Sequence, residues 1–133
     1  MTGRLIISGT REALSAEDRA MVLDVIAPYA ERASAIGVGD CPSGIDALVR
    51  EWVEQPAIVA PEPRGALVFT AAWGALGNRA GPERNGRMVA WAAEGRGVLL
   101  AFPGPRSRGT WDCVRQARAA GLSIVIKRVG GGR

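Results

Sequence analysis

The sequence predicts an α/β fold: an open parallel sheet of about five strands with helices on both faces, in one domain spanning residues 1–133. Three observations predict it. Short apolar runs alternate with amphipathic stretches from one end of the chain to the other. The runs are nearly continuous in apolar residues, as strands buried on both faces are. Each of the first four runs is followed by a glycine-bearing turn that leads into the next helix.

The elements follow in order. LIISGTR at 5–11 predicts a buried strand and a turn. Ser15, with Asp18 three residues on, predicts a capped helix start, and Met21, Val22, Val25, Ile26 and Tyr29 supply its apolar spacing. Pro28 is expected to kink or interrupt this helix near its last turns. SAIGVGD at 34–40 is the second strand. Ser43 and Asp46 repeat the S-x-x-D start, and Ile45, Leu48, Val49, Trp52 and Val53 form the stripe of a second helix. QPAIVAPEPRG at 55–65 reads as a loop or extended connection.

ALVFTAAW at 66–73 is the third strand, and GALGNRAGPERN after it reads as a glycine-rich loop. Pro82 suits a first helical turn, with Met88, Val89, Trp91 and Ala92 behind it. Gly86 within that helix costs about 1 kcal/mol relative to alanine, so a close approach is expected there. GVLLAF at 97–102 is the clearest strand. Thr110 is expected to open the last helix and Gly121 to end it. LSIVIKRV at 122–129 closes the sheet, and residues 130–133 read as a frayed tail.

Composition excludes several function classes. The chain has no histidine and only two cysteines, Cys41 and Cys113, so neither a metal centre nor a disulfide framework is expected. No apolar run approaches the ~20 residues of a membrane helix, and the start of the chain lacks a signal-peptide layout, so a cytoplasmic location without membrane contact is expected. The formal net charge is +4, and Lys127 is the single lysine among 17 basic residues. Arginine's fork suits phosphate. An arginine-rich coding bias explains the global excess, so only arginines inside loops bear on function.

In an open parallel sheet, ligands sit beyond the carboxyl ends of the strands. There the sequence places Gly9, Thr10 and Arg11; then Gly39, Asp40, Ser43, Gly44 and Asp46; then Trp73, Gly74 and Gly77 with Arg84 and Asn85; then Gly104, Arg106, Arg108, Gly109 and Thr110. Glycine admits a ligand to the backbone, and the first amides of the following helix attract phosphate. Each member also has a plainer reading. Gly9 serves as a turn, Ser43 and Asp46 as a cap, Trp73 as a core aromatic rather than a base-stacking ring, and Gly109-Thr110 as a cap. Cys41 and Cys113 read as small buried residues, or Cys113 as a helix-start thiol with a lowered pKa.

In ISGTR at 7–11, VGDCPSGID at 38–46, AAWGALGNRAGPERNGRM at 71–88 and FPGPRSRGT at 102–110, the chain resembles the SLOG superfamily of Rossmann-like proteins. Within it the likeness is to the YspA-like, YpsA-related branch, and more distantly to LOG phosphoribohydrolases and DprA/SMF proteins. The resemblance implies a nucleotide or nucleotide-derived ligand such as an NAD or ADP-ribose derivative. It implies ligand roles for Gly9, Arg11, Gly44, Asp46, Trp73, Arg84, Asn85, Met88, Gly104, Gly109 and Thr110. The chain departs from the family where a glycine pair becomes Gly39-Asp40, which brings a negative charge toward a phosphate. LOG enzymes carry P-G-G-x-G-T-x-x-E; here Pro105 follows Gly104, and Cys113 holds the glutamate's position. Asp112 lies about 100° around the helix from it.

Three functions follow as expectations. The first is a nucleotide-binding sensor or sequestering protein, which requires no cofactor. The second is an N-glycosidic hydrolase acting on nucleotides, with Asp46, Glu83 and Asp112 as candidate carboxylates. The third is single-stranded nucleic-acid binding, which favours arginines interleaved with aromatics. A homodimer is the expected assembly.

Overall fold

A computed structural model describes residues 3–54 and 66–130. Its five strands are β1 (Arg4–Gly9), β2 (Ala35–Gly39), β3 (Leu67–Phe69), β4 (Val98–Phe102) and β5 (Ser123–Ile126). They form one sheet in the order β3-β2-β1-β4-β5, with every neighbouring pair parallel. The chain therefore winds outward from β1 to β3, then returns to the centre and winds outward through β4 and β5. The reversal lies between β1 and β4, where Gly9 pairs with Phe102 at the carboxyl ends of both strands. That is the position at which this class of sheet opens a crevice.

The helices are α1 (Ala16–Arg32), α2 (Gly44–Val53), α3 (Trp73–Leu76), α4 (Ala80–Glu94) and α5 (Arg108–Ala119). Side chains alternate across the strands and feed two separate cores. Leu5, Ile7, Val38, Leu100 and Phe102 pack under α1 and α2. Ile6, Leu99 and Ala101 pack under α4 and α5 with Met88, Val89, Cys113 and Val114. Each fully buried aliphatic side chain contributes about 1.5–3 kcal/mol. Leu100 is completely buried, so Leu100→Ala is expected to cost about 2–5 kcal/mol through lost burial and a cavity.

Local chemistry explains most boundaries. The Ser15 hydroxyl accepts the Asp18 amide at 3.0 Å, as the cap reading requires. Val22, Ile26 and Ala30 are the buried line of α1, flanked by the half-buried Met21, Val25 and Tyr29. Pro28 does not interrupt α1, which continues to Arg32. The α2 stripe is buried throughout. Gly121, at φ +82°, follows the end of α5, where a left-handed residue releases the chain into β5. At Gly86 an added Cβ would lie 3.1 Å from Gln116 Oε1, which is the close approach expected between α4 and α5.

Other expectations are corrected. The third strand is three residues long rather than eight, and Leu67 and Val68 on this edge are exposed. The supposed loop after it is helical: α3 is followed by a 3-10 turn at Gly77–Arg79 that runs directly into α4. Hydrogen bonds from Ala75 and Leu76 to the Ala72 carbonyl override its glycines. Helix α5 opens at Arg108, two residues before Thr110. Gly130 is tied down, its amide donating to Asp18 Oδ2 at 3.0 Å, so the tail does not fray there. The stretch 55–65 and residues 131–133 lie outside the described residues.

Candidate functional site: an anion cleft at the sheet crevice

The turn after β1 is the floor of the site. The Thr10 amide donates to the Phe102 carbonyl at 3.0 Å, and its own carbonyl accepts the Ile45 amide at 2.9 Å. The Thr10 hydroxyl accepts the Glu12 amide at 3.1 Å. These bonds join β1, β4 and the start of α2 in one rigid turn. Gly44 has φ +67°, and a Cβ there would stand 2.1 Å from the Thr10 carbonyl oxygen. A Cβ at Gly9 would stand 2.3 Å from the Ile45 side chain. Both glycines therefore hold α2 against the turn. Ser43 makes no cap bond to α2; its hydroxyl donates to the Arg11 carbonyl at 2.6 Å, which corrects the capping expectation.

The turn after β4 supplies the donors. The Ser107 hydroxyl accepts the Gly104 amide at 2.7 Å, which folds residues 104–107 back on themselves. Having done so, Ser107 makes no cap bond to α5. The first intrahelical bond runs from the Trp111 amide to the Ser107 carbonyl at 3.1 Å. The amides of Arg108, Gly109 and Thr110 are left at the positive end of the helix dipole. A Cβ at Gly109 would meet nothing within 4 Å, so the space beside this residue is open.

Between these turns lies a cleft of about 390 Å³, lined by Ser8–Glu12, Cys41, Asp46, Arg84 and Arg106–Thr110. Four arginines face it. Arg84 pairs with Asp40 at 3.0 Å, and Arg106 pairs with Glu12 at 2.6 Å. Arg11 and Arg108 have no carboxylate partner among the described residues. The Arg11 guanidinium lies 6.0 Å from the centre of the Trp73 ring, which is 47% exposed. Asp40 is thus neutralised by Arg84 rather than turned on a ligand. Its Oδ2 also accepts the Ala71 amide at 3.2 Å.

Asp46 is the buried carboxylate of the cleft, 7% exposed. Burial pushes its pKa above the ordinary 3.8, opposed by the Cys41 amide at 3.2 Å and by the Arg84 and Arg50 charges. Gly39 makes this packing feasible, since a Cβ there would lie 2.5 Å from Asp46 Oδ2 and 2.7 Å from Arg84 Nη1. The other two candidate carboxylates are engaged elsewhere. Glu83 forms an exposed pair with Arg87 on the first turns of α4. Asp112 accepts from Asn85 at 3.1 Å, Gln116 at 2.9 Å and Arg115 at 3.1 Å.

The geometry therefore gathers Gly9, Thr10, Arg11, Asp46, Arg84, Arg106, Arg108, Gly109 and Thr110 on the cleft wall. It places Gly39, Ser43, Gly44 and Gly104 immediately behind, as supports. Asn85 is 2% exposed and bonds the Gly109 carbonyl at 3.0 Å, so it positions the start of α5. Met88 is fully buried in the core under α4 and α5 and does not reach the cleft. Ser8, Glu12 and Ser107 escaped the sequence reading. The hydroxyl three residues after Gly104 was the available signal for Ser107.

Cys113 is the small buried residue of the plainer reading, Cys41 is only partly buried, and the alternative of a helix-start thiol with a lowered pKa is corrected. Cys113 is the sixth residue of α5 and completely buried, past the reach of the helix start. Burial pushes its pKa up to about 12, against a hydrogen bond from Ser8. No group of three or more metal-ligating residues occurs among the described residues, and no helix there is long and apolar enough to cross a membrane.

No family model matches the chain, and no solved structure matches it. The chain is similar to the Gene 61 protein of Mycobacterium phage D29, at 32% identity over 128 residues covering 92% of this chain and 94% of that protein. Likeness at that level over nearly the whole of both chains means that this protein belongs to the family of the phage Gene 61 protein.

Proposed function

We propose that the cleft binds a nucleotide or nucleotide-derived ligand through its phosphate, and that the protein acts as a sensor or sequestering protein for it. One observation carries this reading: Arg108, Gly109 and Thr110, the first residues of α5, line a cleft whose Arg11 and Arg108 lack carboxylate partners among the described residues. Three main-chain donors, a helix dipole and two guanidinium forks match the oxygens of a phosphate. The exposed Trp73 ring beside Arg11 gives a base a face to stack on. The SLOG likeness points to the same ligand class. All of these groups come from one chain.

Asp46 favours a second reading, N-glycosidic hydrolysis of the bound nucleotide. It is the one sequence-proposed carboxylate that lines the cleft, and its raised pKa suits a group that exchanges protons. A thermal-shift panel of nucleoside mono- and diphosphates tests the binding. A nucleotide at a hundredfold excess over its Kd should stabilise the protein by about 2.7 kcal/mol. If no nucleotide raises Tm, the binding reading fails. Chromatography of the same mixtures for free base tests hydrolysis, which fails if wild type and Asp46→Asn release none.

A further inference from the structure

Six polar side chains are buried among the described residues: Thr10, Asp18, Asp46, Asn85, Ser107 and Thr110. Buried polar groups normally have partners, so unused capacity calls for an explanation. Asp18 and Asn85 do not line the cleft and hold main chain, Asp18 the Gly130 amide and Asn85 the Gly109 carbonyl. The other four all line it. The Thr10 and Ser107 hydroxyls each accept one main-chain amide, from Glu12 and Gly104, and donate to nothing among the described residues. They stand close together, since a Cβ at Gly104 would lie 3.0 Å from one and 3.6 Å from the other. Asp46 accepts a single hydrogen bond, from the Cys41 amide to Oδ2, whereas a carboxylate offers about four acceptor positions. Its charged neighbours direct their hydrogen bonds elsewhere, Arg84 to Asp40 and Asn85, and Arg50 to the Gly39 carbonyl. The Thr110 hydroxyl, in a residue 3% exposed, makes no hydrogen bond among the described residues.

We propose that these four side chains form a sugar subsite that selects ribose over deoxyribose, with Asp46 accepting the ring hydroxyls of a ribose 5-phosphate unit and the three hydroxyls bonding its remaining oxygens. The proposal rests on the phosphate reading of the cleft, which fixes the end of the ligand that meets α5. Ser107 and Thr110 belong to the same turn as the phosphate-binding amides, so the group they meet is the one bonded to the phosphate. In a nucleotide that group is the sugar and not the base. A carboxylate among hydroxyls suits it, because sugar hydroxyls both donate and accept. The four side chains come from the turn after β1, the first turn of α2, and the turn after β4 with the start of α5, so they approach a ring from several sides. A site built to hydrogen-bond a hydroxyl discriminates against the analogue lacking it, because its buried polar groups are then left unpaired.

The test is calorimetric titration of the full chain with ribose 5-phosphate, 2-deoxyribose 5-phosphate and inorganic phosphate. Ribose 5-phosphate should bind roughly tenfold or more tightly than its deoxy analogue, as loss of a hydrogen bond to a charged group implies. Asp46→Asn keeps the shape of the side chain and should bring the two sugars to nearly equal affinity. Thr110→Val should weaken ribose 5-phosphate more than inorganic phosphate. A variant that only loosens the fold weakens all three probes together, so the ratios isolate the subsite. Equal affinity for the two sugars in wild type, or a ribose preference that persists in both variants, would overturn the proposal. If the two equal affinities both fall in Arg108→Gln, the phosphate reading stands without the subsite. A ribose preference abolished by Asp46→Asn, with affinities untouched by Arg108→Gln, would keep the subsite and reject the phosphate reading. Binding of none of the three would reject both.

Discussion

Arg84 and Asp40 meet at 3.0 Å on the wall of the cleft, and the same guanidinium stands beside the buried Asp46. Arg84 also donates through Nε to the Asn85 side chain at 3.2 Å. One arginine thus links the turn after β2, the first turns of α4 and, through Asn85, the start of α5. Its side chain is 13% exposed and that of Asp40 28%, so the pair is only partly screened. Arg84→Met should lower stability by about 1.5–3 kcal/mol, the usual range for a hydrogen bond to a charged group. It should also raise the Asp46 pKa further, because an opposing positive charge is removed. Thermal unfolding and a carboxyl NMR titration read the two effects separately.

Asp46 gives a pH dependence of definite sign. A carboxyl whose folded pKa is raised binds protons more tightly folded than unfolded. Its contribution to stability is therefore full below the unfolded value near 3.8 and is lost as pH rises through the higher folded value. Asp46→Asn removes this dependence. The variant's stability relative to wild type should rise with pH across that window and then level off. Urea denaturation at a series of pH values measures it, and a difference that falls with pH would contradict the burial of this group.

The glycines separate fold from ligand. Gly44→Ala combines a left-handed φ with a contact of 2.1 Å to main chain, and should destabilise strongly or abolish folding. Gly109→Ala meets no neighbour and removes the backbone cost of glycine in a helix, so it should leave Tm unchanged or raise it, adding up to about 1 kcal/mol of stability. It should nonetheless weaken nucleotide binding by crowding the amides. Parallel melting and calorimetric titration of the two variants make the contrast.

Cys113 should resist alkylation in the native protein, because its thiol is completely buried and its pKa is pushed up to about 12. Cys41, partly exposed at the cleft, should react first. Peptide mapping after a brief treatment with iodoacetamide distinguishes the two. Early labelling of Cys113 would mean that α5 opens locally.

The sheet was legible because its signals are strong and local. VLLAF at 98–102 has no helical spacing, and the stripe of α2 has nothing else. The edge strand was overread, because ALVFTAAW has strand composition throughout while pairing with β2 ends at Phe69. Glycines at 74 and 77 concealed α3, whose hydrogen bonds to Ala72 depend on the tertiary path of the chain. The loops of the cleft were found from glycine and arginine positions. Their roles were not, because Ser43, Ser107 and Asn85 act through bonds to distant or folded-back main chain that spacing does not encode. Asn85→Ala should accordingly cost about 1–3 kcal/mol by leaving the Gly109 carbonyl and Asp112 short of a donor. Thermal melting measures that cost.

The cleft's function is tested most directly by titrating a nucleoside monophosphate into isotope-labelled protein and following amide resonances. The largest, saturable shifts are expected at Arg108, Gly109 and Thr110, and Arg108→Gln should reduce the affinity roughly tenfold or more, as loss of a charge-assisted hydrogen bond implies. Shifts that spare these three amides, or that survive Arg108→Gln at full affinity, would contradict the assignment of this cleft as the phosphate site.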